Sequence, residues 1–225
     1  MTKIEVAKVI DHTALRPDLN RKAIDQVIKD CKQYNFGGIC IDPGWIYLTK
    51  QKLPNTRIIT VPNWRAGGGL EHSSHPEFSY NEAPEVDYIL SIVAASLLRD
   101  RDKSKKELDE VRKIIPGIMR VIIEVTAIRA FAEKDKKDFE TEVQQICQLV
   151  EQSGADWIKT DSGLFSRKDP AHLFEDIVLM KKYCKLPLKA AGGIRTLATL
   201  NKCIELGAAQ IGSSNGINIL GEVKE

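Results

Sequence analysis

Two lysines end apolar stretches that read as buried strands: Lys159 in Trp157-Ile158-Lys159-Thr160-Asp161-Ser162-Gly163, and Lys189 in Leu188-Lys189-Ala190-Ala191-Gly192-Gly193. An ammonium there loses its hydration. The expected response is a lowered pKa that leaves part of the amine neutral and nucleophilic. A second cation alongside strengthens the effect and activates a lysine for Schiff-base chemistry. Taken singly, either lysine is expected to reach solvent or to pair with a carboxylate. The pair, with glycines beside each, favours the chemical reading.

The glycines continue the theme. Gly192-Gly193-Ile194-Arg195-Thr196 and Gly212-Ser213-Ser214-Asn215-Gly216 both follow strand-like runs and precede helical ones. Backbone N–H groups there can face an oxygen anion, a helix N-terminus adds a favourable dipole, and the Ser214 hydroxyl can donate. A phosphorylated substrate is the natural ligand. The plainer alternative is a pair of tight turns between strand and helix.

Acidic residues also fall in or beside apolar runs: Asp11 before His12-Thr13, Asp87 in Glu85-Val86-Asp87-Tyr88-Ile89, and Glu124 in Val121-Ile122-Ile123-Glu124-Val125. Buried charge needs a partner. Asp87 and Glu124 are expected to offset the lysines and hold a water for proton transfer, with a structural salt bridge as the competing role. For Asp11 and Glu124 the two roles stand level. Cys40, in Gly38-Ile39-Cys40-Ile41-Asp42, reads as a small buried hydrophobe with no base beside it. His72 and His75 have an HxxH spacing beside Glu71, but Gly67 to Gly69 and Pro76 argue against the helix that a metal site would need, so none is expected.

The elements that must position these groups follow from periodicity. Short β-branched runs alternate with helical stretches, the pattern of repeated βα units around a parallel sheet. Strands are predicted at Ile10 to Thr13, Gly38 to Ile41, Ile58 to Val61, Val86 to Ser91, Arg120 to Val125, Trp157 to Thr160, Leu186 to Ala190 and Gln210 to Gly212. Helices are predicted at Ala23 to Tyr34, Lys105 to Ile115, Lys134 to Gln152, Ala171 to Tyr183 and Leu197 to Leu206, the last two starting after Asp169-Pro170 and Thr196. Eight such units suggest a single (β/α)8 TIM barrel over residues 1–225, with reacting groups at the C-terminal ends of the strands. Pro62 to Pro76 is the one long irregular loop.

Bulk properties narrow the function classes. With 33 Lys plus Arg against 31 Asp plus Glu, the formal charge of +2 gives no reason to expect nucleic acid or an anionic membrane as partner. No 18 apolar residues run together, and Met1 to Val9 lacks the apolar core of a signal peptide. The five cysteines, odd in number and without a CxxC pair, suit a reducing, cytoplasmic setting.

Together the motifs resemble the deoxyribose-phosphate aldolase family, in order along nearly the whole chain. They run from Ile10-Asp11-His12-Thr13-Ala14-Leu15-Arg16-Pro17-Asp18 through Cys40-Ile41-Asp42-Pro43 to Gly212-Ser213-Ser214-Asn215-Gly216. The most specific pieces are the two lysine segments. The resemblance implies that Lys159 forms the imine with acetaldehyde, that Lys189 perturbs it, and that Asp87 assists proton transfer. It implies that Gly163, Gly192, Gly193, Gly212 and Ser214, with Arg195, hold a phosphate. It implies a class I aldolase without metal or organic cofactor, cleaving 2-deoxy-D-ribose 5-phosphate to D-glyceraldehyde 3-phosphate and acetaldehyde, and a homodimer. The open alternatives are a related Schiff-base aldolase with another sugar phosphate or a ketone donor, and a non-catalytic phosphosugar-binding barrel. Three departures bear on the pocket: Asp161 where a small hydroxyl residue is usual, Val61-Pro62-Asn63-Trp64-Arg65-Ala66-Gly67 in place of an apolar turn, and Asp42 in place of Asn. An anion at 161 is expected to weaken phosphate binding or to reshape proton transfer.

Overall fold

A computed structural model describes residues 1–16, 18–64, 84–167 and 169–224. Eight parallel strands close into a barrel in sequence order: β1 Ile10–Ala14, β2 Gly38–Ile41, β3 Arg57–Thr60, β4 Glu85–Ile89, β5 Ile118–Ile122, β6 Trp157–Lys159, β7 Leu188–Ala191 and β8 Ala208–Ser213. The predicted (β/α)8 barrel is therefore present, each strand within a few residues of its expected place. His72, His75, Glu71 and Gly67 to Gly69 lie outside the described residues.

The helices are α1 Lys3–Val9, α2 Arg21–Tyr34, α3 Ile46–Lys52, α4 Arg101–Ile114, α5 Val125–Asp135, α6 Phe139–Gln152, α7 His172–Tyr183, α8 Leu197–Glu205 and α9 Gly216–Gly221. Their formation follows local chemistry. In α2 the Asn20 side chain accepts from the Ala23 N–H, Ile24, Ile28 and Cys31 recur at helical spacing on the buried face, and Asn35 ends the helix in the left-handed region. Thr196 caps α8 in the same way, accepting from the Thr199 N–H at 3.2 Å.

One expected helix, Lys134 to Gln152, is two. Lys136 takes a left-handed conformation that closes α5, and the Asp138 side chain accepts from the Thr141 N–H at 2.9 Å to start α6. Each of these end signals satisfies backbone groups that a continuous apolar stripe leaves unpaired, so capping outweighs periodicity here.

Strand side chains alternate between two cores. The outward set packs against the helices in the large apolar cluster, with Ile10, Ile39, Ile58, Tyr88, Val121, Ile158, Leu188 and Ile211 buried there. Fully burying one such aliphatic side chain contributes about 1.5 to 3 kcal/mol. The inward set is different. Toward the strand C-termini it is apolar, with Leu15, Cys40, Ile59, Val61, Ile89 and Ile122 packed together. Below and beside that layer it is ionic, with Lys159 level with Ile122 in the β5–β6 register.

Candidate active site

The ionic layer comes from alternate positions of six strands. Asp87 on β4 is wholly buried and receives both lysines on one oxygen: Lys159 Nζ lies 2.8 Å and Lys189 Nζ 2.9 Å from its Oδ2. Lys189 also contacts Asp11 Oδ2 at 2.7 Å. On the other side, Arg120 reaches Asp87 Oδ1 at 3.4 Å and Glu85 Oε2 at 2.5 Å, and Arg57 pairs with Glu85 at 2.8 Å and with Asp11 at 3.4 Å. Three carboxylates thus face four cations. Arg120 also stacks over the Trp157 ring, 5.1 Å from its centroid.

Backbone details aim these groups. Lys159 and Lys189 are directly paired in the β6–β7 register. Beyond the last pair, the Thr160 hydroxyl donates to the Ala191 carbonyl at 2.8 Å and accepts from its N–H at 2.9 Å, stapling the two strands just past the lysines. A register shift between β7 and β8 falls at Leu188/Lys189, where such irregularities re-aim a side chain. Gly38 is required by space: a Cβ there lies 2.6 Å from Asp11 Oδ1, so a larger residue displaces the carboxylate.

The electrostatics correct one expectation. Burial pushes the Lys189 ammonium toward neutrality, but Asp11 and Asp87 outweigh it and hold the group charged, above the usual lysine range. Desolvation would raise Asp87, yet Lys159, Lys189 and Arg120 together keep it far below the usual carboxylate range. Lys189 and Asp87 are therefore a fixed cation and a fixed anion beside Lys159. Cys40 sits on the same inner wall, and burial pushes its thiol up to about 11, in keeping with a packing role.

Above the lysines lies a cavity of about 220 Å³. Lys159, Gly163, Gly192, Gly193, Arg195, Gly212 and Ser214 all line it. Gly192 and Gly193 have φ of +93° and +85°, consecutive positive values that a side chain would strain, and both line the opening. Ser213 is committed to structure, donating to the Ile194 carbonyl at 2.7 Å and accepting from the Asn215 N–H at 3.0 Å. Ser214 accepts from Asn215 Nδ2 at 3.3 Å, which leaves its hydroxyl proton to donate into the cavity. Arg195 is exposed at the rim and supplies charge. A larger apolar groove of about 610 Å³, lined by Phe139, Phe174, Val178 and Leu179, lies on the outer helices, away from the lysines.

Two acidic residues stand elsewhere than expected. Glu124, read as a strand residue, lies beyond β5 in the left-handed region with φ of 51°, where it precedes α5. Its Oε1 accepts from the Ser162 N–H at 2.8 Å, so it supports the loop after β6 and is separate from the Asp87 cluster. Asp161 is fully buried and turned away from the cavity, with one oxygen on the Thr126 N–H at 3.1 Å and the other on Arg167. Sequence reasoning missed Arg57, Glu85 and Arg120, together with Thr13, Ser162 and Asn215 in the cavity wall. The signal for the first three was present, since each is a charged residue two positions from another inward residue in an otherwise apolar strand.

A (β/α)8 barrel with paired amines beside a mouth of glycine turns, hydroxyls and an arginine suited to an anion is the layout of a barrel aldolase. Residues 5–222 match the family described as DeoC/LacD family aldolase. The chain is 32% identical over 227 residues to the deoxyribose-phosphate aldolase of Mycoplasmopsis pulmonis (strain UAB CTIP), covering 96% of each. Among solved structures, "QR15, an Aldolase" superposes with a TM-score of 0.82 at 27% identity, covering 97% of this chain and 96% of that one. The tetrameric deoxyribose phosphate aldolase of Aeropyrum pernix superposes at 0.78 with 20% identity, over 98% of this chain and 91% of its own, and shares the fold. The chain belongs to the DeoC/LacD aldolase family.

Proposed function

We propose that residues 1–225 form one catalytic unit, a class I aldolase that reversibly cleaves 2-deoxy-D-ribose 5-phosphate to D-glyceraldehyde 3-phosphate and acetaldehyde. The observation that carries this reading is that Lys159 and Lys189 share one Asp87 oxygen while Lys159 also lines the cavity of about 220 Å³ beside the glycine turns. The names of the curated relatives supply the substrate.

In the synthetic direction the Lys159 amine adds to the acetaldehyde carbonyl, and loss of water from the carbinolamine leaves the imine. Removal of a proton from the methyl carbon then makes an enamine, whose carbon attacks the aldehyde of the phosphorylated acceptor. Water finally releases the product from Lys159. Lys159 must be neutral to attack. When it gives up its proton, three cations remain against the three carboxylates of the ionic layer, a balanced interior. In this reading Asp87 holds the water that exchanges protons with the imine and Lys189 fixes Asp87, a role supported by their 2.9 Å contact. Nothing in this sequence of steps calls on a metal or an organic cofactor.

The test is mass spectrometry after incubation with acetaldehyde and sodium borohydride. An ethyl group on the Lys159 amine is expected. A folded protein that gains no adduct overturns the reading.

For the phosphate, the amides after β6, β7 and β8 and the Ser214 hydroxyl supply hydrogen bonds, while Arg195 supplies charge. Arg195→Ala is expected to lower kcat/KM for the phosphorylated sugar by about 10- to 100-fold, the loss of one charge-assisted hydrogen bond. Unphosphorylated 2-deoxyribose is expected to respond much less. Equal loss on both sugars places the phosphate elsewhere.

We also propose a homodimer working in the cytoplasm. Exposed Val93, Leu97 and Leu98 share one turn after β4 and offer an apolar patch for a second copy, and the five free, buried thiols suit a reducing compartment. Among the described residues no helix is long and apolar enough to cross a membrane.

A further inference from the structure

We propose that Asp161 and Arg167 are a positioning pair that sets the loop between β6 and α7, and with it the phosphate side of the cavity; this rests on the phosphate site proposed above. Asp161 lies two residues after Lys159, so strand alternation alone would aim it into the barrel. Instead its carboxylate is drawn under the loop. Oδ1 accepts from the Thr126 N–H at 3.1 Å, while the neighbouring Glu124 carboxylate accepts from the Ser162 N–H at 2.8 Å. The start of α5, with Glu124 before it, and the loop after β6 thus exchange side-chain to backbone hydrogen bonds in both directions. The loop after β7 closes the third side, since a Cβ at Gly192 would lie only 3.0 Å from the Asp161 Cβ.

The other Asp161 oxygen meets Arg167, whose side chain is 7% exposed. Arg167 continues to Asp176 of α7, and Asp176 also takes Arg129 of α5 at 2.5 Å. Ser162 and Gly163, both in the cavity wall, are strung between the two ends of the Asp161–Arg167 pair. An anion that ought to repel phosphate therefore arrives with its own counterion six residues later, and the pair becomes the anchor of the loop that holds phosphate.

Removing Arg167 alone leaves Asp161 facing Glu124, Asp176 and the Thr126 amide, while Lys159 attracts Glu124. Burial already pushes both Asp161 and Glu124 upward, and Glu124, raised further by the Asp161 charge, stands at about 7. Without its guanidinium, Asp161 must take up a proton or leave its pocket. The damage should therefore be greatest at alkaline pH and should lessen as protons are supplied.

The experiment compares wild type, Arg167→Met, Asp161→Ser and the double variant, using D-glyceraldehyde 3-phosphate and D-glyceraldehyde as acceptors, with borohydride trapping of acetaldehyde in parallel. Arg167→Met is expected to raise KM for the phosphorylated acceptor about tenfold or more near pH 8, with a smaller change in kcat, and the increase should shrink toward about pH 6. The double variant should recover the part of the loss due to the stranded Asp161 charge, keep the part due to the missing anchor, and show no such pH dependence. The inference is overturned if KM for the phosphorylated acceptor is unchanged. It is equally overturned if kcat falls alike with both acceptors and the double variant is no better than Arg167→Met, the mark of a merely structural role. If wild type itself traps no acetaldehyde and shows no preference for the phosphorylated acceptor, the proposed function fails and this inference with it.

Discussion

Lys159→Ala is expected to lose aldolase activity by roughly 10⁴-fold or more and to gain no ethyl adduct from acetaldehyde and borohydride. The loss should be this large because no other group can inherit the role. Among the described residues Lys189 is the amine that shares the Asp87 oxygen with Lys159, and Asp11 and Asp87 hold it as a charged ammonium. An ammonium has no lone pair with which to attack a carbonyl. Folding should be little harmed, because removing Lys159 takes one cation from an ionic layer that holds four against three carboxylates. Retention of the adduct in Lys159→Ala, mapped to Lys189, would reverse the assignment of the two lysines.

Asp87→Asn is expected to strike both activity and stability. Its kcat should fall by about 10²- to 10⁴-fold, the range for removing a positioned proton-transfer group. Its folding free energy should fall by about 3 to 5 kcal/mol, the usual consequence of taking one partner from a buried ion pair. Here the removed carboxylate serves Lys159, Lys189 and Arg120 at once; Lys189 keeps Asp11 and Arg120 keeps Glu85, but the buried Lys159 ammonium loses its carboxylate. Asparagine keeps the shape and removes the charge, so the effect reports electrostatics.

The pH dependence follows from the direction of the shift. Because the Asp87 carboxyl is depressed in the folded protein, its contribution is complete above the ordinary aspartate value of 3.8 and is lost as pH falls below it toward the depressed value. The stability gap between wild type and Asp87→Asn should thus be full at neutral pH and narrow in acid. Lys189 behaves in the opposite sense: raised in the folded state, it contributes below the ordinary lysine value of 10.5 and loses that contribution as pH rises through its raised value. Urea unfolding of the two proteins across pH measures both, and a gap independent of pH in acid removes Asp87 from the centre of the network.

The altered residues near the pocket show how a local reading and a global one diverge. Read along the chain, Asp161 is an anion beside an imine and a phosphate. In the fold its nearest cation is Arg167, which also bonds Asp176 in the following helix, and its charge is absorbed before it reaches the cavity. The spacing of 161 and 167 has no helical or strand period, since the loop between them is irregular, so no pattern in the sequence pairs them. Arg57 and Glu85 are similar. They belong to neighbouring strands β3 and β4, yet 28 residues separate them, and only closure of the barrel brings them to 2.8 Å.

The barrel, both lysines, Asp87 and the glycine turns were legible in the sequence because each rests on short-range order. Periodicity of two marks strands, caps mark helix ends, and a charged side chain in a buried strand announces a site. Tertiary structure alone decided which charges meet. The lysines were expected to depress one another, and the fold instead placed one shared carboxylate between them and a second behind Lys189. It likewise took Glu124 out of the strand and made it a brace for the β6 loop, because the chain turns left-handed there before α5. The physical reason is the same in each case. The sign of a buried electrostatic effect depends on distances of a few ångströms between strands far apart in sequence, and those distances exist only once the barrel has closed.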